Sequence, residues 1–135
     1  MAIRKQILFV DDDCDIANGA RLRLETAGYT AIVAASGEEA VAAAIEKQPD
    51  VIVLDIRMPG MDGLAALAKL RERKDTQHIP VLVLSASLID QPDALEKGAR
   101  FFLRKPYCAE TLLSAIDVAV NEKSHGPRIL ESAAC

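Results

Sequence analysis

The stretch ILFVDDDCD, residues 7–15, runs four apolar residues, Ile7 to Val10, directly into Asp11, Asp12 and Asp13, with Asp15 two positions on. A short, near-continuous apolar run reads as a strand covered on both faces, the kind found in parallel sheets. The acids that follow are electrostatically unfavourable. Two carboxylates ~5 Å apart at an effective dielectric of ~20 repel by about 3 kcal/mol. Such a cluster needs either a proton or a cation among its members.

The same grammar recurs along the chain. Tyr29–Ala34, Val51–Leu54, Val81–Leu84 and Arg100–Arg104 read as four more strands. Segments of helical period lie between them. One runs over Asp15–Ala27, with Ile16, Ala20, Leu24 and Ala27 inward and Gly28 as its stop. Another begins at the capping-box pattern Ser36-Gly-Glu-Glu39 and ends before Pro49, with Ala40, Val41, Ala44 and Ile45 inward. A third covers about Leu64–Lys74. The Pro-interrupted segment LIDQPDALEKGA holds a short fourth helix that Pro92 can open. The last runs to about Asn121, with Leu112, Leu113, Ile116 and Val120 inward. Strands alternating with helices predict an α/β fold, a doubly wound parallel sheet with helices on both faces.

Composition bounds the function. The chain has 135 residues, half of them hydrophobic, and a net charge of −4. That is one domain's worth of ordinary globular sequence. We read residues 1–121 as that domain and 122–135 as a flexible tail or the start of a linker. Direct nucleic-acid binding is disfavoured, since it relies on clustered Lys and Arg. No apolar run approaches the ~20 residues of a membrane span, and the N-terminus does not read as a signal peptide. Cys14, Cys108 and Cys135 are an odd count without a CxxC, which suits free thiols in a cytoplasmic protein. His78 and His125 are expected on the surface.

The polar residues that interrupt the pattern all fall at strand ends. Asp11 and Asp12 follow the first strand, Asp55 the third, Ser85 the fourth and Lys105 the fifth. In a doubly wound sheet those ends share one crevice, where ligands bind. Carboxylate oxygens without an imidazole or thiolate favour a hard ion, Mg2+ above all. A metal and an ammonium together can neutralise phosphoryl oxygens. Asp55 is then the nucleophile. Asp13 suits the cap of the following helix.

Four motifs, VDDD at 10–13, LDIRMPGMDG at 54–63, LSAS at 84–87 and FLRKPY at 102–107, resemble the receiver domains of bacterial two-component response regulators. The resemblance implies a flavodoxin-like five-stranded sheet in order 2-1-3-4-5 with five helices. It implies a switch in which a sensor histidine kinase or histidine phosphotransfer protein donates a phosphoryl group to Asp55. Asp12, Asp55 and the backbone carbonyl of Arg57 would bind Mg2+ directly, and Asp11 through a bound water. Lys105 would contact the phosphoryl group, and Ser85 would hydrogen-bond one of its oxygens and draw in its loop. Phe102 matches the aromatic switch position. Pro59 and Gly63 would shape the turn after the nucleophile, while Arg57 and Ser87 occupy positions that tune phosphoryl lifetime. Output would be altered protein contacts with a downstream protein, with phosphorylation-dependent homodimerisation as one form.

Ser85 and Phe102 depart from the family's more usual Thr and Tyr. The span from Ser85 to Gly98 is shorter than usual, which predicts a short or displaced fourth helix. Two other functions compete. A Mg2+-dependent phosphohydrolase with an aspartyl nucleophile needs an acid two residues later, where Arg57 stands. A degenerate, constitutive interaction module would not need the complete set of Asp11, Asp12, Asp55, Ser85 and Lys105. The expectation is therefore a signalling domain rather than an enzyme, able to catalyse its own phosphorylation and dephosphorylation.

Overall fold

The computed structural model describes residues 4–56, 63–87 and 89–121, together with the backbone of 128–130. Six strands form one parallel sheet in the order β2-β1-β3-β4-β5-β6. They are β1 (Gln6–Val10), β2 (Thr30–Ala34), β3 (Val51–Asp55), β4 (Val81–Ser85), β5 (Phe101–Arg104) and β6 (Arg128–Leu130). Five helices alternate with the first five strands: α1 (Cys14–Thr26), α2 (Gly37–Lys47), α3 (Gly63–Glu72), α4 (Asp90–Glu96) and α5 (Ala109–Asn121).

Alternation along the strands divides the core in two. Leu8, Val10, Ile52, Leu54, Val83 and Phe102 face one side, where Ala40 and Ala44 of α2, Leu67 and Leu70 of α3 and Ala94 of α4 cover them. Ile7, Phe9, Val51, Val53, Leu84 and Leu103 face the other, against Leu24 of α1 and Leu112 and Ile116 of α5. Each fully buried aliphatic or aromatic side chain contributes about 1.5–3 kcal/mol. Both faces are sealed, so the polar residues at the carboxyl ends of β1, β3, β4 and β5 are gathered at one rim. The order reverses at β1, which pairs with β2 on one side and β3 on the other.

Local signals set the helix ends. Asp13 caps α1 as expected, its Oδ1 accepting from Asp15 N at 2.9 Å and Ile16 N at 3.2 Å. After α1, Gly28 takes φ +102°, a conformation that suits glycine. Ser36 Oγ accepts from Glu39 N at 3.1 Å, and Glu39 Oε2 reaches back to Ala35 N at 2.7 Å.

Several expectations are corrected. Ile16, read as inward, is 49 % exposed, because α1 presents Ala17 to the core instead. α4 is short, but it opens at Asp90, and Pro92 sits within its first turn, where a missing N–H is tolerated. Residues 128–130, read as part of a tail without regular structure, pair with β5 in parallel, Phe101 opposite Arg128 and Leu103 opposite Leu130. Their backbone covers the polar edge that β5 would otherwise expose. Cys14 is free and exposed. Cys135 and His125 lie outside the described residues, and His78 is exposed. Among the described residues, no helix is long and apolar enough to cross a membrane.

Candidate functional site: an acidic crevice at the strand ends

Asp11, Asp55, Ser85 and Lys105 converge, as their places at the strand ends require. Backbone bonds hold the rim: Asp11 N donates to Ala34 O at 3.0 Å, Ile56 N to Leu84 O at 3.4 Å, and Lys105 N to Ser85 O at 2.8 Å. The Lys105 Nζ to Asp55 Oδ2 distance is 2.8 Å, a charge-assisted hydrogen bond across the mouth of the sheet. The peptide between Lys105 and Pro106 is cis. Asp55 is nearly buried, while the lysine side chain keeps 29 % exposure, so the pair lies at an opening rather than in a sealed core.

Asp11 is almost fully buried. Its Oδ1 accepts from Asp13 N at 2.9 Å, whereas its Oδ2 is buried without a hydrogen-bond partner. Burial pushes its carboxyl above the ordinary range, and the charges of Asp55 and Asp12 push it further. The Asp13 N–H and Lys105 only partly offset this. Lys105 is pulled down by burial, but the hydrogen bond and charge of Asp55, with Asp11 behind them, win, and its ammonium is held above the usual lysine range. Asp12 is exposed at the rim, one residue beyond the buried acid.

The turn after Asp55 is closed by Gly63, whose N–H donates to Ile56 O at 3.1 Å. A Cβ on Gly63 would overlap the Cα and side chain of buried Ile56, so only glycine allows this approach. The intervening Arg57 and Pro59 lie outside the described residues. Phe102, at the expected switch position, is fully buried among the residues under α2, α3 and α4. Ser85 is also buried, and its hydroxyl is hydrogen-bonded to Asp90 Oδ2 at 2.6 Å. Sequence reasoning missed Asp90, because an acid near a proline at a helix start ordinarily reads as solvated.

The donor set suits a hard cation. An orphaned, buried carboxylate oxygen beside two further carboxylates is the environment such an ion satisfies. Among the described residues, no three acid, imidazole or thiolate side chains close a cage.

A sequence model of the response regulator receiver domain matches residues 7–117. The chain belongs to this family. Receiver domains are signalling domains of two-component response regulators, and the sheet order 2-1-3-4-5 with five helices is theirs. This receiver is 34 % identical over 125 residues to the DNA-binding dual master transcriptional regulator RpaA of Synechocystis, covering 91 % of this chain and 52 % of that one. It is 38 % identical over 107 residues to the alkaline phosphatase synthesis transcriptional regulatory protein PhoP of Bacillus subtilis, covering 78 % and 44 %. It thus spans about half the length of these curated relatives.

Among solved structures, the chemotaxis protein CheY4 of Vibrio cholerae superposes with a TM-score of 0.81 at 32 % identity, covering 87 % of this receiver and 99 % of that chain. The receiver domain of the sensor histidine kinase PA1611 of Pseudomonas aeruginosa, with magnesium coordinated in its active-site cleft, gives 0.82 at 25 % identity, covering 89 % and 100 %.

Proposed function

We propose that this receiver is a Mg2+-dependent phosphoacceptor switch in which Asp55 takes a phosphoryl group from a sensor histidine kinase or a histidine phosphotransfer protein. The observation that carries the reading is the 2.8 Å Lys105–Asp55 pair beside the buried, orphaned Asp11 oxygen. A carboxylate oxygen of Asp55 bonds to phosphorus as the bond from phosphorus to the donor imidazole breaks, and the imidazole leaves with the electron pair. The Lys105 ammonium stays beside the oxygens that accumulate charge. Asp12, Asp55 and the Arg57 carbonyl would hold Mg2+ directly and Asp11 through water, and the ion would supply positive charge to neutralise phosphoryl oxygens. Ser85 donates to a phosphoryl oxygen, and the arrangement that allows this gains population.

Output is then a change in protein contacts with a downstream protein, homodimerisation included. The domain works in the cytoplasm, and at a net charge of −4 it is poorly suited to contact nucleic acid directly. Incubation with Mg2+ and a small acyl phosphate should add one phosphoryl group, seen by intact-mass analysis, and Asp55→Asn should abolish it. An unmodified wild type, or a variant that still labels, refutes the reading. Steady turnover of phosphate esters would point to a hydrolase instead.

A further inference from the structure

Ser85 has its hydroxyl committed elsewhere. Its Oγ lies 2.6 Å from Asp90 Oδ2, with both residues more than nine-tenths buried. That separation is typical of a hydroxyl donating to a carboxylate. The same Oγ accepts from Ser87 N at 3.0 Å, and the alternative acceptor, Ser87 O, is further away at 3.3 Å. A serine hydroxyl carries one proton. While Asp90 holds it, no phosphoryl oxygen on Asp55 can receive it.

Asp90 is also the first residue of α4. Ile89, the residue before it, offers no side-chain cap, and the helix start is tied back instead. Asp90 N donates to Ser87 O at 3.3 Å, Ile89 N donates to Ser87 Oγ at 3.2 Å, and Asp90 Oδ2 grips Ser85. The end of β4 and the beginning of α4 are therefore one knot around a single proton. At its other side, Ser85 O accepts from Lys105 N, which places the knot one peptide from the lysine that holds Asp55. Ala94 of α4 and Phe102 share one core cluster, so a shift of α4 is felt at the switch aromatic.

We propose that Asp90 is a positioning residue, a latch that holds the Ser85 hydroxyl and the start of α4 in the resting arrangement. Phosphorylation of Asp55 must take the Ser85 proton from Asp90, and the broken bond frees the first turn of α4. Because the two acceptors compete for one donor, the coupling is reciprocal: whatever pulls Asp90 away favours the phosphorylated arrangement. The proposal rests on the phosphoacceptor reading and adds the route by which the signal leaves the site.

The test is a double-mutant cycle read by NMR titration of the Mg2+-loaded protein with beryllofluoride, a phosphoryl mimic. Asp90→Ala should tighten beryllofluoride binding roughly tenfold, the scale set by releasing a hydrogen bond to a charged group. Asp90→Asn, which keeps a neutral acceptor and the shape of the side chain, should tighten it less. In a Ser85→Ala background, Asp90→Ala should change the affinity less than about twofold, since distant or uncoupled effects add and shared ones do not. In the unliganded state, Ser85→Ala and Asp90→Asn should both speed hydrogen exchange at the α4 amides.

Equal affinity in wild type, Asp90→Ala and Asp90→Asn overturns the latch alone, as does the same tightening with and without Ser85. A wild type that binds no beryllofluoride overturns the phosphoacceptor reading, and the latch with it.

Discussion

Lys105 Nζ lies 2.8 Å from Asp55 Oδ2, although the two residues are 50 positions apart in the chain. Each stands at the carboxyl end of its strand, and β4 lies between those strands, so only the sheet brings them together. The ammonium does two things here. Its charge favours the ionised forms of Asp11 and Asp55, and under the proposed phosphoacceptor function it would stand beside the oxygens of a transferring phosphoryl group.

Lys105→Ala should therefore separate these roles. With the ammonium gone, the acids keep their oxygens, and Mg2+ should bind at least as tightly by isothermal titration calorimetry. Phosphorylation by an acyl phosphate should slow about 10- to 100-fold, the equivalent of one charge-assisted hydrogen bond. The phosphorylated variant should also transmit poorly to its partners. Unchanged labelling kinetics would assign the lysine a purely structural role.

Asp11 supplies a pH prediction. Its folded-state carboxyl is raised above the ordinary value, so the native state binds its proton more readily than the unfolded chain. Stability from this group is present at low pH and falls as pH rises from the unfolded value through the folded one. At neutral pH, without metal, the ionised Asp11 is a liability. Asp11→Asn should raise the urea midpoint at pH 7 in EDTA, with the gain vanishing in acid as the wild-type carboxyl protonates. Added Mg2+ should stabilise the wild type more than the variant, which reverses the order.

Gly63 is held by a contact rather than by an unusual dihedral angle. Gly63→Ala would press a methyl group onto the Ile56 backbone, which cannot swing aside as a side chain would. The expected loss is about 1–3 kcal/mol or more, the range for overpacking a core. Denaturant unfolding measures it. Because Ile56 directly follows Asp55, phosphorylation of the folded variant should slow as well.

Removing residues 122–135 would strip β6 and leave the β5 edge bare. Each ladder hydrogen bond is worth about 1 kcal/mol net, so the loss should amount to roughly 1–3 kcal/mol by urea unfolding. An uncovered edge also pairs readily with another chain, and the truncated protein should self-associate more on sizing columns. Mg2+ binding should be unchanged, because β6 lies at the β5 edge, away from the acids that follow β1 and end β3.

Much of the fold is legible in the sequence. The runs ILFV, VIVL and VLVL are apolar on every residue because each is covered on both faces, a demand that parallel sheets make and a linear sequence displays. Asp13 and Ser36 were readable as caps because capping is local chemistry within three residues. Ile16 and the start of α4 were misread for the complementary reason. Which face a helix turns inward, and whether a proline or the residue two before it opens a turn, depends on what the rest of the chain packs against it.

The sequence by itself determined the alternation of strand and helix and the placing of acids, hydroxyl and lysine at strand ends. These follow from periodicity and residue type, which need no partner. Tertiary structure alone decided three things: that Asp11 keeps a buried oxygen without a partner, that β6 covers the β5 edge, and that Ser85 spends its proton on Asp90. Each depends on burial or on a contact that exists only once the sheet and α4 are assembled. A hydrogen bond between buried groups is worth what its surroundings exclude, and those surroundings are set by the fold.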